Sequence, residues 1–164
     1  MNDTFFIEVA QAAARQSTCL RRKFGCVIID PVTQHIISTG FNGSPCGEEH
    51  CTDIEYCMRE ELNIPRGERY ELCRSTHDCM NALLQAGKQA YNCTIYACGF
   101  DAKTMIPITM PKPCFLCTKM AINSGIANYF VWTGLNVISI DLHVLYNQYI
   151  QEMTKSYMEC VSGE

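Results

Sequence analysis

Three residues of this chain have the types and spacing to hold a transition metal: His77, Cys114 and Cys117. The two cysteines stand three apart in the run P-C-F-L-C at the predicted start of a helix, so both sulfurs can face one point. His77 opens another predicted helix, over about 76–86 in STHDCMNALLQAG, which ends at a glycine as helices often do. One imidazole and two thiolates suit zinc and leave a fourth coordination position for water. Zinc in such a setting brings the pKa of water near neutrality. Two other readings of the spacing stay open here. A lone C-x-x-C also serves as a thioredoxin-type redox pair, although Pro113 precedes these sulfurs rather than lying between them. It can equally be half of a structural zinc site.

The elements that must position these residues follow from pattern. MNDTFFIEVAQAAARQ places Phe5, Phe6, Val9, Ala10 and Ala13 on one helical face behind the capping candidates Asn2, Asp3 and Thr4. CVIID (26–30) and QHIIST (34–39) read as strands joined by a Pro-containing turn, and GFNGSPCGEEHC (40–51) as a loop. The helix after His77 turns Leu83 and Leu84 inward. TIYACGF (94–100), ANYFVW (127–132) and VISI (137–140) are strands; residues 112–126 are a loop entering a helix, and 141–153 a final helix. Helices alternating with strands late in the chain imply an α/β layer structure with part of the sheet parallel. The length of 164 residues suits one domain, 1–164, with a Cys-rich insertion at about 46–74.

A formal net charge of −4 supplies no field to hold long nucleic acid by its phosphates. No apolar run reaches the length of a membrane span, and the first residues lack the basic and apolar regions of a secretory signal. Twelve cysteines in such a chain point to a reducing, cytoplasmic compartment and to metal or catalysis rather than disulfides.

The blocks CLRRKFGCVIID, STGFNGSPCGEEHC, RGERYELCRSTH, MNALLQAG and PCFLCTKMAINSGI, in this order, resemble those of deoxycytidylate (dCMP) deaminases, zinc enzymes marked by H-x-E followed by P-C-x-x-C. The resemblance covers about residues 10–132; beyond it the match is weak, and VWTGLN lacks an expected stretch with tyrosine and aspartate. It implies a three-layer α/β/α fold with a five-stranded mixed sheet, and zinc on His77, Cys114 and Cys117. It further implies that Asn42 contacts the sugar and that the main-chain N–H of Asp78 meets the pyrimidine carbonyl. The implied reaction is hydrolysis at C4, dCMP to dUMP, in a homo-oligomer that many members regulate by a nucleoside triphosphate. Some members carry a second, structural zinc in the regions of Cys19, Cys51, Cys57 and Cys73. Those four are the expected ligands here, with His50 as substitute.

The chain departs from the family at one position. H-x-E is here His77-Asp78-Cys79. The family's glutamate is no ligand; it moves protons between water, ring nitrogen and leaving ammonia. Cys79 is shorter and acceptor-poor, and on a regular helix it would face away from His77. Three outcomes are open: zinc retained with deamination reduced or lost, altered chemistry using the thiol, or ordinary deamination through Asp78 or another group. A non-enzymatic nucleotide-binding role is the main rival to activity.

The remaining polar residues carry weaker expectations. Arg21, Arg22 and Lys23, like Arg69 and Arg74, could meet a phosphate or simply face solvent. His35, in a strand, and His143, in the last helix, read as structural. Cys26, Cys93 and Cys98 read as core, Cys46 and Cys160 have no assigned role, and Trp132 walls the base or joins the core.

Overall fold

The structure, a computed structural model, describes residues 2–65 and 67–162. In chain order it contains α1 (Asp3–Arg15), β1 (Arg22–Ile29), β2 (Ile36–Phe41), α2 (Cys51–Ile54), α3 (Met58–Glu61), α4 (Asp78–Ala86), β3 (Thr94–Asp101), α5 (Phe115–Asn123), β4 (Asn128–Trp132), β5 (Val137–Ser139) and α6 (Leu142–Ser162). Short 3-10 turns cover Tyr70–Leu72 and Gly87–Ala90.

The apolar strands pair into one sheet of order β2-β1-β3-β4-β5. β1 runs antiparallel to β2 and β3, β3 parallel to β4, and β4 antiparallel to β5, so the expected five-stranded mixed sheet is present. The central strands read as continuous hydrophobic runs because both faces are covered. Val27, Ile29, Tyr96, Cys98 and Phe100 face Phe6, Ile7, Ala10 and Ala14 of α1. Cys26, Ile28, Ile95, Ala97 and Val131, on the other face, pack with Cys79, Ala82, Leu83 and Ala86 of α4 and Cys117 and Ala121 of α5. These are the three α/β/α layers.

Two glycines permit the close approach of helices to sheet. A Cβ on Gly25 would meet Ala10 O and Ala14 N at 2.3 Å, so α1 lies directly on β1. A Cβ on Gly40 would meet Asp78 O at 2.1 Å and Ala82 N at 2.6 Å, so the first turn of α4 lies on β2. The second contact places the start of α4 against the sheet, where the site forms.

Several expectations are corrected. Asn2 does cap α1, its Oδ1 accepting from Phe5 N, but the buried face is Phe6, Ile7, Ala10 and Ala14, and Phe5 is exposed. Leu83 is buried, whereas Leu84 points to solvent because α4 meets the sheet along the stripe of Cys79, Ala82, Leu83 and Ala86. His35 lies in the turn before β2, not in the strand, and Arg22 and Lys23 lie inside β1. The insertion contains the one-turn helices α2 and α3 rather than irregular chain alone. The last helix runs to Ser162, well beyond Met153.

Candidate metal centre

The site forms where two helices begin. After β2 the chain makes an isolated bridge, Gly43 N to Thr76 O at 3.2 Å and Thr76 N to Gly43 O at 2.8 Å, which delivers His77 to the edge of the sheet. His77 stands just outside α4 as its N-cap, with extended backbone at φ −74°, ψ 155°, rather than in the first turn. Cys114 is likewise the N-cap of α5, and its Sγ accepts from Cys117 N at 3.5 Å. His77 Nδ1 lies 3.3 Å from Cys114 Sγ and 3.4 Å from Cys117 Sγ. All three donor atoms fall within 4.8 Å of one another, the one such His/Cys/Asp/Glu set among the described residues.

Two soft sulfurs and an imidazole this close fit zinc, with Zn–S near 2.3 Å and Zn–N near 2.0–2.1 Å. Both helices also direct their N-terminal partial positive charge at the sulfurs, which favours thiolate. A proton is shared unequally between the thiols: hydrogen bonds from Cys117 and then His77 pull Cys114 down to about 4, while those with Cys114 and Cys79 push Cys117 well up. Burial lowers the His77 pKa, but the hydrogen bond and charge of Cys114 outweigh it and the net shift is upward. A dication would displace these protons.

Cys79 is buried and opens onto the same cavity as His77. The expectation that residues two apart face different sides does not apply, because His77 is outside the helix. Cys79 nevertheless stands outside the tight three-donor set, packed in the same cluster as Cys117. Asp78 also lines this cavity, its charge is felt by Cys26 and Cys98 of the sheet, and burial raises its carboxyl to about 6. That carboxyl also lies against the main-chain N–H groups of Cys79 and of Asp78 itself.

Asn42 lines the cavity but is engaged by its own chain. Its Oδ1 accepts from Ser17 Oγ and Phe24 N, each at 2.7 Å, and its Nδ2 donates to Arg22 O at 2.9 Å. One Nδ2 hydrogen is left to face a ligand. The cavity, of about 890 Å³, also meets Arg21, Arg22 and Arg74. Lys23 instead donates to Ser17 O, Arg69 pairs with Glu71 at the surface, and exposed His35 and His143 lie off the cavity lining. Trp132 packs against Phe100 on the α1 side, so it joins the core there and is not part of the cavity lining.

Cys19, Cys51, Cys57 and Cys73 gather beside the cavity without closing into a tight donor set. Burial raises the pKa of Cys51, and the charges of the other three raise it further. His50 Nδ1, next to them, is buried with no hydrogen-bond partner. All twelve cysteines are free thiols, with Cys26, Cys93 and Cys98 buried and Cys46 and Cys160 exposed.

Sequence reasoning did not single out Arg59 and Tyr70. Tyr70 packs its ring edge on His77 at 4.7 Å between centroids, and the guanidinium of Arg59 lies 4.6 Å over Tyr70. Arg59, 7% exposed, donates through Nη2 to Pro65 O and Glu68 O. The insertion thus folds onto the metal centre through a buried arginine, and no spacing pattern marks such a residue.

Residues 1–133 match the family described as the cytidine and deoxycytidylate deaminase zinc-binding region. The deoxycytidylate deaminase of Schizosaccharomyces pombe is 30% identical over 138 residues, 84% of this chain but 38% of the relative. That of Saccharomyces cerevisiae is 30% identical over 76% of this chain and 35% of its own length, so the chain spans well under half of these two relatives. The deoxycytidylate deaminase of Mycobacterium phage D29 is 28% identical over 76% of this chain and 88% of its own. Among solved structures, the apo dCMP deaminase of cyanophage S-TIM5 covers 89% of this chain and 90% of its own with a TM-score of 0.55 at 20% identity. A cytidine deaminase from Burkholderia pseudomallei covers 88% and 96% with the same TM-score at 15% identity. Those two establish the fold. With the family pattern running through both metal-bearing helices and the sheet beneath them, the chain belongs to the zinc-binding cytidine and deoxycytidylate deaminase family.

Proposed function

We propose that this chain is a zinc-dependent hydrolase of a pyrimidine deoxynucleotide, dCMP to dUMP, impaired in proton transfer because Cys79 occupies the glutamate position. The observation that carries the reading is the convergence of His77, Cys114 and Cys117 at a cavity that also bears Asn42 and several arginines, Arg22 and Arg74 among them. A cyanophage dCMP deaminase of the same fold is known in complex with dCMP and dUMP, which supports the substrate class.

His77, Cys114 and Cys117 hold the metal, which when bound supplies the Lewis acidity that makes water nucleophilic at neutral pH. The remaining Nδ2 hydrogen of Asn42 meets the sugar, and Arg22 and Arg74 offer charge to a phosphate. The main-chain N–H of Asp78 meets the pyrimidine carbonyl, sharing it with the Asp78 carboxyl. Cys79 lacks the length and the carboxylate oxygens to carry a proton from water to the ring nitrogen and then to ammonia. Loss of one general acid–base group costs about 10²–10⁴-fold in rate. The buried Asp78 carboxyl is engaged by Cys26 and by the main-chain N–H groups of Cys79 and Asp78, which makes it a poor replacement.

A thiol at Cys79, beside Cys117 and with no carboxylate at that position, favours a second reading, a nucleotide-binding protein without turnover. A structural zinc on Cys19, Cys51, Cys57 and Cys73, with His50 as substitute, would staple the insertion and is supported by their gathering around Cys51. The free thiols fit a cytoplasmic setting. A homo-oligomer with a nucleoside triphosphate effector completes the reading.

The test is dCMP turnover by the zinc-loaded chain, followed by loss of cytosine absorbance, beside a Cys79→Glu variant and a dCMP-binding measurement. Faster turnover in the variant, with binding in both, supports an impaired deaminase. Binding without turnover in either supports the second reading, and full turnover by the chain as it stands refutes the assigned defect.

A further inference from the structure

We propose that Tyr149 of α6 is a positioning residue for the metal ligand Cys114, which makes α6 a working part of the metal centre. The proposal rests on the reading of His77, Cys114 and Cys117 as zinc ligands. Residues 1–133 carry the family match, so α6 lies wholly outside it.

Cys114 sits at the end of an irregular segment. Between Asp101, the last residue of β3, and Phe115, the first of α5, the chain forms no helix or strand beyond an isolated bridge at Pro107. A loop of that kind does not by itself hold a sulfur in one place, yet Cys114 Sγ must stay 3.3 Å from His77 Nδ1 for the donor set to exist. α6 supplies the restraint. Tyr149 Oη donates to Pro113 O at 2.7 Å, the carbonyl immediately before Cys114. The Lys112 ammonium lies 5.2 Å from the centroid of the Tyr149 ring, and the ring of Phe115 meets it edge-on at 5.7 Å. Three of the four residues 112–115 therefore touch one tyrosine, and the fourth is the ligand.

The restraint is itself anchored. Tyr146, about one helical turn before Tyr149, stacks on Phe115 at 5.6 Å, and Leu142 and Leu145 bury the start of α6. The hydroxyl fixes the peptide plane between Pro113 and Cys114, and that plane sets the direction of the Cys114 Cα–Cβ bond. Tyr149, Glu152, Met153 and Tyr157 line the cavity that His77 lines, so the helix that holds the loop also walls the site. Groups that orient metal ligands typically change metal affinity 10–100-fold when removed.

The experiment measures zinc release from the zinc-loaded full chain to a coloured chelator, with melting of the metal-free chain beside it. Tyr149→Phe keeps the ring contacts and removes the hydroxyl that bonds Pro113 O. It should release zinc about 10-fold faster while metal-free melting stays unchanged. Tyr146→Phe keeps its stack on Phe115 and should release zinc at the parent rate. Release from Tyr149→Phe at the parent rate overturns the proposal. So does equal acceleration in both variants, because the hydroxyl on Pro113 would then have no special role. Cys114→Ser separates the two readings. If it retains zinc as the parent does, the ligand assignment fails; if it loses zinc while Tyr149→Phe does not, only the role of Tyr149 fails.

Discussion

Cys79, in the first turn of α4, lies beside Cys117, in the first turn of α5, across the two helix starts. This placement sets the residue at the expected glutamate position against one of the three clustered donors without adding a fourth donor to that cluster. Cys79→Ala is therefore expected to bind the same amount of active-site zinc as the parent and to leave any residual dCMP turnover within a few-fold. Metal analysis after gel filtration decides the matter, since loss of an equivalent of zinc would mean that Cys79 is a ligand.

Metal removal should expose an unusual thiolate. In the metal-free chain the Cys114 pKa falls to about 4 while that of Cys117 rises, so lowering the pH protonates ordinary thiols long before Cys114. Alkylation at pH 6 followed by peptide mapping should label Cys114 ahead of Cys117, and added zinc should suppress the label. Equal labelling of the two would contradict the unequal sharing of their proton.

At Gly40 any side chain collides with the backbone of α4, at Asp78 O and Ala82 N, which cannot rotate away. Gly40→Ala should lower stability by roughly 3 kcal/mol, at the upper end of the usual cost of overpacking. It should also weaken zinc retention, because the start of α4 carries His77. Urea unfolding with an unchanged midpoint would show that the helix can shift aside freely.

Asn42 should report on stability as well as on any substrate. Asn42→Ala strips partners from Ser17 Oγ, Phe24 N and Arg22 O, and each stranded buried group costs about 1–3 kcal/mol. Denaturant unfolding should show a loss of roughly 3 kcal/mol or more, the sum of three such groups at the lower figure. A variant of parent stability with only a raised KM for dCMP would leave the sugar contact standing and remove the clamp.

Much of this architecture is legible from local pattern. The apolar runs of β1 and β3, the glycine after α4 and P-C-F-L-C each declare themselves within a few residues, and the strand order then brings His77 and the cysteines together. What escapes a linear reading depends on long-range packing. Which stripe of α4 faces the sheet is decided by Gly40, so Leu84 cannot be told from Leu83 by spacing alone. The extended backbone of His77 is set by the bridge from Gly43 to Thr76. The stack of Arg59 on Tyr70 on His77 joins residues without periodicity. The second half of α6 escapes for the opposite reason: residues 151–162 are all exposed, so no buried stripe marks their continuation as helix.

That exposed half of α6 has a mechanical meaning. Twelve residues at 1.5 Å each make a rod of about 18 Å. The rod begins two residues beyond the Tyr149 hydroxyl that grips Pro113. A rod held near one end is a lever arm, and a push at its tip arrives at the fulcrum enlarged. Bulk joined to the far side of Ser162, or a surface that seizes Tyr157 and Val161, would thus tug on the loop that carries Cys114. The grip on the metal can be loosened or tightened by a load applied well away from it.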